Sequence, residues 1–203
     1  MLISEKSVEI EFINRFKIQG VNVQCKMEFL PGKLTLLTGE NGIGKSSLIQ
    51  FLKLNQKEFL NDMNTVFLDQ FPLKPINDIN FLTLSNQLMN ERREILPICS
   101  KLEEACSAFF KNPINSLSGG QNQLIKVLLA CYISGDFFIF DEPFQYLDTK
   151  NTDLLRNIFK ELKLLNKKIL VIEHRKEIIH DLIDSAYKME NSMNQIEVSR
   201  DGI

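Results

Sequence analysis

Two stretches near the start of the chain alternate apolar and polar side chains. The first carries Val8, Ile10 and Phe12, and the second runs from Val21 to Phe29 with polar residues between the apolar ones. Alternation of this kind is typical of strands with one face buried and one face in water, which occur mainly in antiparallel sheets. We therefore expect an antiparallel β-layer at the N-terminal end of the fold.

The rest of the chain alternates short strand-like runs with longer segments of helical periodicity. Strands are predicted at residues 34–38, 65–68, 137–140 and 168–172, with a closing hairpin at residues 187–189 and 196–198. Helices are predicted at residues 46–54, 76–111 with a break at Pro97, 120–133, 153–165 and 175–183. This order predicts an α/β protein with a mixed central sheet. We expect one domain over residues 1–203, with a short helical subdomain at about residues 71–133.

The composition narrows the possible partners. The 203 residues carry a formal net charge of -2, with 44% hydrophobic and 25% charged side chains, as in ordinary soluble domains. Without a basic excess, we expect no binding of nucleic acid through its phosphates. The four cysteines include no C-x-x-C pair, which predicts reduced, buried thiols in a cytoplasmic protein. No run approaches the roughly 18 apolar residues that a membrane helix needs, so any membrane role would act through a partner chain.

A glycine-rich stretch, G-E-N-G-I-G-K-S from Gly39 to Ser46, lies between a predicted strand and a predicted helix. It fits the phosphate-binding pattern G-x-x-x-x-G-K-[ST]. Its glycines let backbone N–H groups point at phosphate oxygens, where the helix dipole adds positive charge. Lys45 would reach the β- and γ-phosphates, and the Ser46 hydroxyl would bind Mg²⁺. The alternative is an ordinary glycine turn before a helix. The predicted nucleotide-binding residues here are Gly39, Asn41, Gly42, Gly44, Lys45, Ser46 and Ser47.

Two acids follow the most apolar run of the chain in F-F-I-F-D-E, residues 137–142. In α/β sheets, ligands bind at the carboxyl ends of the strands. Asp141 is therefore predicted to hold Mg²⁺, and Glu142 to polarise the water that attacks the γ-phosphate. The alternative is a strand that simply ends in a polar turn before Pro143.

Two adjacent glycines stand in N-P-I-N-S-L-S-G-G-Q-N, just before a long apolar run. Ser118 and Gln121 have the spacing of a capping box, so we expect a helix to begin here. Gly119 and Gly120 in its first turn lose about 1 kcal/mol each relative to alanine. Their backbone N–H groups stay open to an anion at a positive helix end. The pattern predicts a second phosphate-binding helix terminus, and the alternative is a glycine-rich loop that leads into a core helix.

Together these pieces resemble the ATP-binding cassette (ABC) ATPases, which have a P-loop NTPase fold. L-S-G-G-Q, residues 117–121, is similar to their signature motif, and the other two motifs resemble their Walker A and Walker B. The resemblance implies roles for four more residues. They are Gln70 (catalytic and Mg²⁺-binding), Asp148 (the D-loop at the dimer interface), His174 (the catalytic switch histidine) and Phe16 (stacking on adenine). Two positions depart from the family pattern. Leu124 stands where arginine is frequent, and Glu173, which some soluble members share, stands where serine or threonine is common.

In this family the signature of one subunit closes on the nucleotide bound by the other. The resemblance therefore implies a homodimer, or a heterodimer with another ABC ATPase, that binds two ATP molecules with Mg²⁺. Ser118, Gly119, Gly120 and Gln121 would act in trans on the nucleotide of the partner.

The resemblance leaves the driven process open between two classes. The first, which we expect, is the ATPase subunit of an ABC transporter, in the cytoplasm at the inner face of the membrane and held there by a permease on a separate chain. The second is a soluble ABC ATPase that acts as an ATP-gated switch on an assembly for translation or DNA repair. A kinase or GTPase on the same P-loop is disfavoured, because neither needs L-S-G-G-Q.

Overall fold

The computed structural model describes residues 6–60, 63–68, 99–113, 116–132, 135–192 and 195–202. The strands within them are β1 (Val8–Ile18), β2 (Val21–Phe29), β3 (Leu34–Gly39), β4 (Thr65–Leu68), β5 (Phe137–Asp141), β6 (Lys168–Ile172), β7 (Ser185–Ser192) and β8 (Gln195–Asp201). The helices are α1 (Lys45–Leu54), α2 (Gln56–Phe59), α3 (Cys99–Cys106), α4 (Gly119–Tyr132) and α5 (Thr149–Leu164). Short 3₁₀ turns lie at Ser107–Phe109, Lys176–Ile178 and His180–Leu182.

The strands form one continuous eight-stranded sheet, in the order β1-β2-β8-β7-β3-β6-β5-β4. β1 and β2 pair antiparallel, as do β7 and β8. The pairs from β7 through β3, β6 and β5 to β4 are all parallel. β2 also pairs in parallel with β8, which joins the N-terminal hairpin to the rest. The predicted mixed sheet is confirmed, and the predicted N-terminal antiparallel layer forms one edge of that sheet.

Successive residues of the central strands face opposite core clusters, because side chains alternate along a strand. In β6, Ile169 and Val171 pack in the cluster that contains residues of α3, α4 and α5. Leu170 and Ile172 pack in the other cluster, with residues of α1. β3 and β5 flank β6 in parallel, and Asp141 is in register with Ile172. The segments that follow these three strands therefore meet at one edge of the sheet.

The segment after β6 differs from the helix predicted at residues 175–183. It forms two 3₁₀ turns, in which N–H groups bond to carbonyls three residues back. The Arg156 guanidinium of α5 donates to the carbonyl of Ile178 and to the Asp181 carboxylate. The Arg156 side chain thus holds both 3₁₀ turns against α5, where a continuous helix was predicted.

The helical subdomain predicted at residues 71–133 is described in part. Residues 69–98, with Gln70 among them, lie outside the described residues. In the described part, α3 packs on the core through Leu102 and Cys106, which are fully buried in the cluster of α4 and α5. Across the described ranges, no helix has both the length and the apolar character needed to cross a membrane.

Three of the four cysteines have the burial that the sequence predicts. Cys25, Cys106 and Cys131 are buried, and none of these three forms a disulfide. Burial raises the pKa of Cys25 to about 12, and burial with a smaller effect of Glu103 raises the pKa of Cys106 to about 12. Such thiols are poor nucleophiles because almost none of the thiolate is present at neutral pH.

Candidate ATP-binding site

The glycine-rich loop between β3 and α1 requires a glycine at its last position. Gly44 is the N-cap of α1, with φ +106°, and a Cβ added there would lie 2.4 Å from Cδ1 of Ile18. The positive φ and the close β1 side chain both disfavour a larger residue. α1 begins at Lys45, so the N–H groups of its first turn point out of the helix end into the loop. This backbone has the geometry of an anion-binding helix terminus.

The side chain of Lys45 is buried and folds back over the loop. Its Nζ donates to the carbonyl oxygens of Gly39 and Glu40, at 2.9 Å each. Burial lowers the pKa of Lys45, and the carboxylates of Glu142 and Asp141 oppose that shift. The ammonium therefore lies within electrostatic reach of both acids at the end of β5.

An open cavity of about 450 Å³ lies over the loop. It is lined by residues of the glycine loop, by the start of α1 and by two side chains from the neighbouring strand ends. These residues are Asn41, Gly42, Gly44, Lys45, Ser46, Ser47, Glu142 and His174. Three segments that are far apart in sequence, each predicted to serve the same nucleotide, therefore meet around one space.

The acid that follows β5 contacts the histidine that follows β6. Glu142 has a left-handed backbone, φ +49°, and its N–H donates to the carbonyl of Ile172 at 3.0 Å. Its Oε1 lies 3.2 Å from Nε2 of His174. Asp141, one residue earlier, is buried at the strand end. The parallel register thus presents a carboxylate and an imidazole together at the rim of the cavity.

The donor set fits a magnesium ion that is held mainly by its substrate. Among the described residues, no group of three or more His, Cys, Asp or Glu side chains could hold a metal by itself. Mg²⁺ in phosphate-transfer sites typically takes one or two protein oxygens, with phosphate and water oxygens completing its shell. The Ser46 hydroxyl and the Asp141 carboxylate would supply the protein ligands. The predicted third ligand, Gln70, lies outside the described residues.

The double-glycine segment begins α4 with the predicted capping box. The Ser118 N–H donates to Oε1 of Gln121 at 2.9 Å, and the Gln121 N–H donates to Oγ of Ser118 at 3.3 Å. These reciprocal bonds satisfy two of the N–H groups at the helix end. In the part of the chain that the structure describes, none of residues 118–121 lines the cavity at Lys45. The two predicted anion sites of the chain are therefore separate.

Tyr146 packs on the glycines at the start of α4, a contact that the sequence did not predict. A Cβ added to Gly119 would lie 3.0 Å from the Tyr146 ring, and one added to Gly120 would lie 2.7 Å from the Tyr146 carbonyl oxygen. Tyr146 has a left-handed backbone, φ +64°, and is 73% exposed. The glycines thus allow close packing of this turn as well as access to their N–H groups. No sequence signal links the two segments, because they are distant along the chain.

The last two predicted residues have local contacts of their own. Asp148 is the N-cap of α5, and its carboxylate accepts the N–H of Asn151 at 2.8 Å. Phe16 is half-buried in β1, and its ring stacks on Phe51 of α1 with centroids 4.5 Å apart. The interface role of Asp148 and the adenine contact of Phe16 stay predictions.

Comparison of the sequence with models of known protein families assigns the chain to a family. A family model described as ABC transporter matches residues 23–145, which is more than half of the chain. This chain belongs to the ABC transporter family. It is an ABC ATPase nucleotide-binding domain, and its mixed sheet is that of the P-loop NTPase fold.

Relatives of this ABC ATPase domain include both translation factors and transporter subunits. Translation initiation factor RLI1 of Saccharomyces cerevisiae is 26% identical over 186 residues, covering 84% of this chain and 28% of that protein. A putative ABC transporter ATP-binding protein of Archaeoglobus fulgidus is 25% identical over 199 residues, covering 86% of this chain and 67% of that protein. The zinc import ATP-binding protein ZnuC of Vibrio parahaemolyticus is 26% identical over 172 residues, covering 80% of this chain and 63% of that protein.

Solved structures of both kinds share the fold. A chain in the complex of the archaeal ribosomal stalk protein aP1 with the ribosome recycling factor aABCE1 has a TM-score of 0.77 and 19% identity, covering 98% of this chain and 40% of that chain. An inward-facing putative metal-chelate type ABC transporter has a TM-score of 0.71 and 18% identity, covering 96% of this chain and 82% of that chain. Several relatives are much longer, since this chain spans 28% of RLI1 and 30% of the Drosophila melanogaster protein Pixie.

Proposed function

We propose that this ABC ATPase domain binds and hydrolyses ATP in a pair with a second ABC ATPase domain, and that the cycle drives a membrane permease. One observation carries the proposal. The cavity at Lys45 includes Glu142 and His174, whereas the helix tip at residues 118–121 lines no part of it among the described residues. Each feature is suited to an anion and is incomplete alone. Two chains arranged head to tail would complete two sites, each from the loop of one chain and the helix tip of the other.

In each shared site, one chain would bind the phosphates through its loop N–H groups and Lys45. Glu142 would accept a proton from the attacking water, and His174 would hold that carboxylate in place through its 3.2 Å contact. Mg²⁺, held by Ser46, Asp141 and Gln70, would neutralise charge on the phosphates. The remaining nucleotide contacts are proposed for Gly39, Asn41, Gly42, Gly44, Ser47 and Phe16.

The partner chain would close the site. Ser118, Gly119, Gly120 and Gln121 of one chain would bind the γ-phosphate held by the other, and Asp148 would lie between the two sites. The phosphate charge is fully neutralised only in this closed pair, so ATP binds the closed state more tightly than the open one and shifts the population toward it. Hydrolysis removes that preference and lets the pair open.

The transport role is supported by the family description and by the similarity to ZnuC and to the Archaeoglobus fulgidus protein. The domain would act at the cytoplasmic face of the membrane, with a permease on a separate chain. The predicted helical subdomain would dock on that permease through its part near residues 70–111.

A second candidate, a soluble ATP-gated switch on a translation assembly, is favoured by different observations. RLI1 is as similar in sequence as the transporter subunits are, at 26% identity. Glu173 precedes His174, as in some soluble members of the family. In this case the same ATPase dimer, with its two shared ATP sites, would act on a ribosome instead of a permease.

A complementation experiment tests the shared site. Lys45→Ala removes the phosphate ligand of the loop, and Ser118→Asp keeps a good helix cap while placing a negative charge at the tip. Neither variant alone should turn over ATP. In a mixed dimer, one site combines the intact loop of the Ser118→Asp chain with the intact tip of the Lys45→Ala chain, so the mixture should regain ATPase activity. A mixture as inactive as its components contradicts the shared site.

A parallel purification separates the two driven processes. The chain is tagged at its native level, and both detergent-solubilised membranes and pelleted ribosomes are analysed by mass spectrometry. A polytopic membrane protein retained at fixed stoichiometry supports transport. Retention on ribosomes that depends on ATP, with no membrane partner, contradicts transport and supports the switch.

A further inference from the structure

Glu173 holds the backbone of the segment that carries the switch histidine. Its Oε1 accepts the N–H groups of His174 at 2.9 Å and of Arg175 at 3.1 Å. The residue is 4% exposed, and its Oε2 is buried without a hydrogen bond from any of the described residues. A buried carboxylate with one oxygen lacking a donor is costly to fold. The two N–H groups that Oε1 accepts fix the carboxylate against the backbone of His174 and Arg175.

Arg175 links Glu173 to the loop that carries Glu142. Its Nε lies 3.8 Å from Oε1 of Glu173, and its Nη2 donates to the carbonyl of Phe144 at 3.0 Å. The backbone of Glu142 itself is held by the end of β6, because its N–H donates to the carbonyl of Ile172 at 3.0 Å. The end of β6 and the Arg175 side chain thus hold the Glu142 loop at two points.

Glu173 is close to the ATP cavity but does not line it. Ile169 and Val171 of β6 face the cluster under α4 and α5, on the side of the sheet away from α1, and Glu173 is the next residue in that alternation. Within the described residues, His174 is part of the cavity lining and Glu173 is not. Glu173 can therefore act on the reaction only through its neighbours.

We propose that Glu173 and Arg175 are positioning residues for ATP hydrolysis. The buried carboxylate fixes the backbone of His174, and the guanidinium fixes the loop of Glu142, so that the two side chains keep their 3.2 Å contact. This inference rests on the roles proposed above for Glu142 and His174. Misplacing reacting groups by about 1 Å costs roughly 100-fold in rate, which sets the scale of the effect.

Steady-state kinetics of point variants test the positioning role. Glu173→Ala and Arg175→Ala should each lower kcat about 10- to 100-fold, with KM for ATP changed by less than about twofold. Glu173→Gln keeps a carbonyl oxygen that can accept the two N–H groups, so it should retain most of kcat. Combining Glu173→Ala with Arg175→Ala should cost little more than either alone, because the pair acts as a unit.

Neighbouring charges provide matched controls. Lys176, whose Nζ pairs with Asp201 at 3.1 Å, and Glu177 are both exposed and follow the same segment. Lys176→Ala and Glu177→Gln should leave kcat and KM unchanged.

An activity-independent readout uses the histidine count of the chain. The sequence has two histidines, so His180→Gln leaves His174 as the only imidazole in the NMR spectrum. In this background, the ring resonances of His174 should move in Glu173→Ala, and in the same direction as in Glu142→Ala, because both changes break the contact between the two side chains. Glu177→Gln should leave them in place.

The outcomes separate this inference from the proposed function. Full turnover in both Glu142→Gln and His174→Ala would contradict the assigned roles themselves. A large loss in those two variants with wild-type kcat in Glu173→Ala overturns only the positioning role. The same holds if Glu173→Ala lowers kcat and the melting temperature while Glu173→Gln gives no rescue and the His174 resonances do not move.

Discussion

The carbonyl oxygen of Tyr146 lies so close to Gly120 that a Cβ built on the glycine would come within 2.7 Å of it. The turn that leads to Asp148 therefore sits directly on the start of α4. Each glycine of the signature meets a different part of the same tyrosine, since the ring covers Gly119 and the backbone covers Gly120. This difference separates the two glycines experimentally.

Gly119→Ala and Gly120→Ala should each lower ATP turnover. Adding Tyr146→Ala should restore turnover only in the Gly119→Ala variant. The Cβ of Gly119→Ala meets the ring, which Tyr146→Ala removes, so ATP turnover should recover in that double variant. The Cβ of Gly120→Ala meets a backbone carbonyl that remains, so turnover should stay low. Steady-state ATPase assays measure the recovery, and calorimetric ATP binding verifies that the loop at Lys45 is intact.

Gly202→Ala is the control for this series, because a Cβ there would meet no atom within 4 Å. It should have wild-type turnover. Equal recovery of both signature variants, or recovery of neither, would show that the contact with Tyr146 does not explain the glycines.

His174→Ala should lower turnover by about 100-fold or more while ATP still binds. The substitution removes the imidazole that lies 3.2 Å from the Glu142 carboxylate, but leaves the loop contacts at Lys45 unchanged. Single-turnover assays and ATP titrations measure the two effects separately. His180→Ala, in the 3₁₀ turn nearby, is the control, and normal turnover in His174→Ala would leave the histidine as a packing residue only.

Lys45→Ala should weaken ATP binding by roughly 10- to 150-fold, which corresponds to the loss of about 1.5–3 kcal/mol for a hydrogen bond to a charged group. The same variant should change adenosine binding little, because adenosine has no phosphate for the ammonium to contact. Calorimetry with both ligands measures the difference, and the exposed Lys57 supplies the control variant Lys57→Ala. Unchanged ATP affinity in Lys45→Ala would contradict the phosphate assignment.

Cys25 and Cys106 should resist alkylation in the native protein. With a pKa of about 12 for each, roughly one molecule in 10⁴ carries the thiolate at pH 8. Iodoacetamide labelling followed by peptide mass spectrometry measures each cysteine separately, and the same reaction in denaturant is the control. Rapid native labelling of either residue would show that these strands and helices open far more often than their burial implies.

The sequence predicted features that depend on near neighbours along the chain. The alternation of Val21–Phe29 predicted a strand with one buried face, and the spacing of Ser118 and Gln121 predicted the two bonds that cap α4. The order of the motifs around Lys45 and Glu142 predicted a shared cavity, because parallel strands end at the same edge. In each case the information is local, or follows from a general rule of sheet topology.

Contacts between distant segments could not be read in the same way. Nothing in the sequence indicates that Tyr146 covers Gly119, that Arg175 reaches the carbonyl of Phe144, or that the ring of Phe16 stacks on Phe51. These depend on how the sheet brings turns together and on side-chain conformations that many residues could adopt. The helix predicted at residues 175–183 was also wrong, and the sequence gives no sign of the contact that the guanidinium of Arg156 in α5 makes with the carbonyl of Ile178 in the 3₁₀ turns found there.

The ammonium of Lys45 already has two acceptors in its own loop, the carbonyl oxygens of Gly39 and Glu40. A neutral ligand group would only replace these carbonyl dipoles with another dipole, so its net attraction to the Lys45 side chain should be close to zero. An oxygen with a full negative charge forms a shorter and stronger bond, and therefore displaces the carbonyls. The loop should therefore select ligands by their charge rather than by their shape. A nucleoside without phosphates should bind it weakly even though there is no steric barrier to its entry.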